Sequence, residues 1–142
     1  MAQLPQVGGD NGNWGTILNN YLQVTHASDG YNISDLVSTV SDAGATEDLN
    51  ISSYGVFDMT LSANCTLSFS NPAPTGKLTS FLLIIRQNAS GGYTLTYPAS
   101  VIWDNGASPT LTTTASKISV LSFFTPDAGT TWFGSLISDN CS

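Results

Sequence analysis

Leu78-Thr79-Ser80-Phe81-Leu82-Leu83-Ile84-Ile85-Arg86-Gln87, followed by Asn88-Ala89-Ser90-Gly91-Gly92, is the stretch that decides the fold. The first run is almost continuously apolar and stops at a cluster of turn formers. It reads as a central strand buried on both faces. Its strongly apolar part, Phe81 to Ile85, is far too short to cross a bilayer. The turn leads into residues 93–97, a hairpin signal.

The same period of two extends outward from this run. Residues 56–61 and 65–69 read as strands on either side of Ser62-Ala63-Asn64, and Asn71-Pro72-Ala73-Pro74-Thr75-Gly76 is a loop. Residues 101–103 and 110–114 flank the turn Asp104-Asn105-Gly106. Residues 117–124 and 131–137 flank Pro126-Asp127-Ala128-Gly129, a second hairpin signal. Alternation assigns Cys65, Leu67, Phe69, Ile118 and Val120 to the inner face. Short strands with Gly, Asn and Pro between them predict a mainly β fold, an antiparallel β-sandwich of jelly-roll-like type, over residues 49–142.

Residues 1–48 carry a different period. Asn13 is a good helix N-cap, and Trp14, Ile17, Leu18, Tyr21 and Leu22 recur at helical spacing to form an apolar stripe. Ile33, Leu36, Val37 and Val40 repeat the pattern. The expectation is a short helical N-terminal segment, a separate element placed ahead of the β domain. A chain beginning at Asn50 is then expected to stay folded.

Composition narrows the function. Of 142 residues only 9% are charged, and three cations against ten acids give a net charge of −7. Lys77, Arg86 and Lys117 cannot neutralise a run of phosphates or form a polybasic patch, so nucleic acid and a charged membrane surface are excluded as partners. Surface polarity rests instead on Ser, Thr, Asn and Gly. The N-terminus shows neither a basic n-region nor an apolar h-region, so the expected site of synthesis is the cytoplasm.

Catalytic groups are sparse. The one histidine, His26, falls at the end of the first predicted helix, where a cation is favoured. Asp58, Asp104 and Asp127 are the candidates for a carboxylate pair, but Asp104 and Asp127 occupy turns that select Asp for backbone reasons. No metal spacing, phosphate loop or dinucleotide fingerprint is present, so no cofactor and no enzyme are expected. Cys65 and Cys141 have no CxxC partner. Cys65 reads as a buried thiol, with a Cys65–Cys141 bridge or an interchain bridge through Cys141 as the alternatives. Tyr93, Tyr97, Trp103 and Trp132 either form a sugar-stacking surface or fill the core and a subunit interface.

Two groups of residues carry a likeness. Asn13-Trp14-Gly15-Thr16-Ile17-Leu18-Asn19-Asn20-Tyr21-Leu22 resembles a W-G-x-x-L-N-x-x-L element near the N-terminus of many tailed-bacteriophage virion proteins. Thr66-Leu67-Ser68-Phe69, Arg86-Gln87 before Gly91-Gly92, and Tyr97-Pro98-Ala99-Ser100-Val101-Ile102-Trp103 follow in order. With Ser108-Pro109-Thr110-Leu111 and Thr131-Trp132-Phe133-Gly134 they resemble a β-sandwich module of phage tail-fibre and related structural proteins. The resemblance implies a non-enzymatic virion component, homo-oligomeric and often trimeric. Its expected partners are other virion proteins of tail, baseplate or capsid, and a host-surface glycan. The expected role is a small tail-fibre or spike component docking through Trp14, Ile17, Leu18, Tyr21 and Leu22. A capsid decoration or head-fibre protein and a carbohydrate-binding module are the alternatives.

Overall fold

Strict alternation of buried and open positions builds the strands. The computed structural model describes residue 32 and residues 35–142 of the chain. Nine strands occur among the described residues: β1 (Val37–Ala43), β2 (Thr46–Asn50), β3 (Val56–Leu61), β4 (Cys65–Ser70), β5 (Thr79–Gln87), β6 (Leu95–Thr96), β7 (Val101–Trp103), β8 (Ile118–Thr125) and β9 (Trp132–Cys141). The chain is mainly β. A six-stranded sheet has the order β1-β3-β5-β8-β9-β7, and a three-stranded sheet the order β2-β4-β6.

The pairing departs from the antiparallel expectation. β1 with β3 and β3 with β5 are parallel, as are β2 with β4 and β4 with β6. Only β5–β8 and β8–β9 pair antiparallel, and β7 lies parallel to β9. β8 is therefore the one reversed strand of its sheet, and a jelly-roll, which is antiparallel throughout, does not describe the topology. The cause lies in the connections. From β1 to β6 each successive strand enters the other sheet. Gly44-Ala45 and Ser62-Ala63-Asn64 are corners that carry the chain from one sheet to the other. They stack on each other, the Ser62 N–H donating to the Ala43 carbonyl and the Thr66 N–H to the Ala45 carbonyl, so each return to a sheet points the same way. The turn after Gln87 does likewise: β6 pairs with β4, not with β5, and no hairpin forms there. The predicted hairpin at Pro126–Gly129 does form, between β8 and β9. Residues 110–114, expected as a strand, carry no strand structure.

Both sheets turn their apolar faces to one core. Phe57, Met59 and Leu61 of β3, Cys65 and Leu67 of β4, and Phe81, Leu83 and Ile85 of β5 are buried together with Leu121, Phe123 and Trp132. Phe69 of β4 joins the sheets, its ring 5.1 Å from Phe81, 5.3 Å from Phe123 and 5.2 Å from Trp132, all edge-on. Such aromatic contacts add about 0.5–1.5 kcal/mol each beyond area burial. Close approach also fixes Gly134, where a Cβ would lie 2.7 Å from the Trp103 ring.

Three expectations of face and element are corrected. β5 is central but is not buried on both faces: Thr79, Phe81, Leu83, Ile85 and Gln87 point inward, while Ser80 and Leu82 are exposed and Ile84 and Arg86 half-buried. On β8 the inward residues are Ser119, Leu121, Phe123 and Thr125, so Ile118 and Val120 lie on the outer side. Both parities of that segment carry apolar residues, and the bulkier set, Leu121 and Phe123, takes the core. Finally, Val37–Ala43 is a strand, although Leu36, Val37 and Val40 match helical spacing; pairing with β3 overrides the local period. β1 and β2 thus join the sheets from the N-terminal side of residue 49. The first predicted helix, with Trp14, Ile17, Leu18, Tyr21 and Leu22, lies outside the described residues.

Candidate functional site

The two parities of the six-stranded sheet diverge in role: one fills the core and the other makes a broad outer face. Register places Val37 beside Val56 and Val56 beside Leu82. One row over, Phe124 pairs with Phe133, and Phe133 with Ile102. Every strand of the sheet thus gives one large apolar side chain to a stepped stripe of two rows, offset where Leu82 faces Ser122 and Phe124 faces Ser80. Val37, Leu82, Ile102, Phe124 and Phe133 are between 38% and 53% exposed. The rings of Phe124 and Phe133 stack at 4.8 Å with 9° between planes. A shallow groove bordered by Asp35, Gly55, Val56, Ser80, Leu82 and Phe124 opens beside them. Single exposed hydrophobics are ordinary on protein surfaces; here several are grouped on one face of one sheet.

One ion pair lies on this face. The Arg86 guanidinium donates through Nε to Asp58 Oδ1 at 2.6 Å and through its Nη2 to Oδ2 at 2.9 Å, a bidentate clamp between β5 and β3. Hydrogen bonding to Asp58 pushes the Arg86 pKa further up. The outward positions of β3, β5 and β8 carry no other charged residue.

The candidate acids are engaged in turns and ladders. The Asp127 carboxylate accepts from the Thr131 N–H at 2.9 Å and the Thr125 hydroxyl at 2.7 Å, and these bonds hold its pKa below the usual range. Burial pushes the Asp139 carboxyl up, but hydrogen bonds from the Ser119 hydroxyl and the Thr112 N–H outweigh it and leave the pKa lowered. Asp104 sits in a short 3-10 turn. No cluster of three His, Cys, Asp or Glu suited to a metal occurs among the described residues. No helix among them is long and apolar enough to cross a membrane.

A separate cleft of about 240 Å³ is lined by Leu61, Gln87, Tyr93, Leu95, Pro109 and Leu111, among others. The Gln87 side chain, 4% exposed, occupies its wall. Its Nε2 donates to the Tyr93 carbonyl at 2.7 Å and to the Thr112 carbonyl at 3.2 Å, and its Oε1 accepts from the Tyr93 N–H. The amide thus acts as a piece of strand, lacing two irregular segments to the end of β5.

The four singled-out aromatics do not form one surface. Trp132 is buried in the core against Phe69 and Phe81, because β9 enters the sheet with that parity inward. Trp103 packs edge-on to Tyr97 at 4.6 Å and to Phe123 at 5.6 Å. The Tyr97 hydroxyl is buried without a partner, and burial pushes its pKa well up. Tyr93 lines the cleft beside Gln87. Cys65 is a buried free thiol, and Cys141 is also free, so the two are not bridged to each other. Burial pushes the Cys65 thiol pKa up, and Glu47 adds to the shift.

The outer stripe is the feature that sequence reasoning missed. Its signal was present in residues 78–87 and 118–124, where both parities are apolar; reading that as burial on both faces hid the open one. Compared with known proteins, the chain matches no family model, no curated protein and no solved structure.

Proposed function

We propose that the chain is a non-enzymatic structural protein of a tailed-phage virion, a small tail-fibre or spike component made in the host cytoplasm. It assembles as a homo-oligomer, a trimer, and docks onto other virion proteins through its N-terminal segment. In this reading the two sheets are the layers of a sandwich-type body that the N-terminal segment carries. The observation that supports it best is the union of a broad apolar outer face with acids committed to structural bonds, a chemistry of assembly. The resemblance of residues 13–22 and of the motifs between 66 and 134 supplies the virion context. A head-fibre or decoration protein is the same reading at another place on the particle. A carbohydrate-binding module finds less support, since Trp132 is buried and Trp103 packs on Tyr97 and Phe123.

The test is incorporation. Particles assembled with the full-length protein are expected to carry it at a fixed position in electron micrographs. The full-length Trp14→Ala, Leu18→Asp double variant is expected to be soluble and folded but missing from purified particles. Absence of the unaltered protein from particles, or normal incorporation of the double variant, would overturn the virion reading or its docking element respectively.

A further inference from the structure

We infer that the outer face of the six-stranded sheet is the contact between copies of this chain, each stripe packing against the same stripe of its neighbours around a shared symmetry axis. This rests on the homo-oligomer reading above and gives it a location. Charge is the first argument. Two chains of net charge −7 repel one another, so a stable contact must avoid uncompensated carboxylates. Within the stripe the acid Asp58 is already closed by Arg86 in a bidentate pair, and Asp35 stands only at the border of its groove. Beyond Asp35 at its border, this face offers a cationic partner little. A neutral apolar partner gains most, and the same face of another copy has that character by construction.

Size is the second argument. Six strands spaced about 4.8 Å apart make a face roughly 24 Å wide, and the eight residues of β8 span about 27 Å. The projected area is roughly 600 Å², and the accessible area of a pleated surface is larger. A standard stable interface takes about 800 Å² from each partner, so this face is of the right order, with Ser80 and Ser122 interleaved opposite Phe124 and Leu82. Geometry agrees with closed symmetry. Identical faces pack as a two-fold pair, or as three sheets walling a triangular prism.

The experiment is molar mass by light scattering on the full-length chain at micromolar concentration. The unaltered protein is expected at a multiple of 14.9 kDa. Leu82→Glu and Phe124→Glu place a carboxylate in the stripe of every copy and are expected to drop the mass to 14.9 kDa, with unchanged circular dichroism. Leu78→Glu is the control, because Leu78 is 68% exposed but precedes β5 and lies outside the stripe; it is expected to keep the assembled mass. Should a glutamate variant lose its fold, Phe124→Thr keeps strand propensity and carries the same expectation of weakened assembly. A monomeric unaltered chain overturns both the face and the homo-oligomer. Stripe variants that stay assembled overturn the face alone and leave the oligomer held elsewhere.

Discussion

Gln87 carries more structure than its position at the end of a strand suggests. Its buried amide meets three backbone groups at Tyr93 and Thr112 that have left regular pairing. Gln87→Leu keeps the volume and strands those groups, at a cost of about 1–3 kcal/mol, measurable as a lower urea midpoint with unchanged slope. Arg86-Gln87 was legible only as a motif; that one residue clamps Asp58 outside while the next laces loops inside follows from strand alternation. The lowered pKa values of Asp127 and Asp139 have a second consequence at this scale. A carboxylate with a depressed folded-state pKa stabilises the fold above its unfolded value, and that stabilisation disappears as pH falls through the folded value. Thermal midpoints are therefore expected to be level between about pH 7 and 5 and to fall below about pH 4. Asp139→Asn should make that acid limb shallower in a melting series.

Elements were more legible than their partners. The strands at 56–61, 65–69, 79–87, 101–103 and 118–125 all fall close to where alternation and turn residues put them. Their pairing was not, because a short Gly- or Asn-rich turn signals reversal without saying whether the chain returns to the same sheet. The outer parity was misread for a related reason. In residues 78–87 the apolar pattern has no polar face, and only a neighbour can tell a covered face from an open one. Gly91 shows how tightly one connection is set. Its φ is +64°, and a Cβ there would stand 2.6 Å from both the Ala115 nitrogen and the Thr113 oxygen. Gly91→Ala meets backbone on two sides in a conformation that suits glycine. It is expected to cost more than about 1–3 kcal/mol and to lower the melting temperature without altering molar mass.

At the scale of the molecule, the division expected near residue 48 falls inside paired structure. β1 and β2 lie before or across it, Leu49 is in the core, and both strands hold ladders to β3 and β4. A chain begun at Asn50 is therefore expected to expose two strand edges and to precipitate or bind hydrophobic dyes, reversing the expectation from period alone. A soluble, cooperatively melting product would show that β3 to β9 suffice. The reversal of β8 alone has a mechanical meaning. Since β1 and β9 run the same way, the start of β1 and the end of β9 lie at opposite ends of the six-stranded sheet. A pull between them is directed along the strands. Such a load shears many ladder bonds at once instead of peeling them one by one, so the sheet is built to bear tension between its two ends.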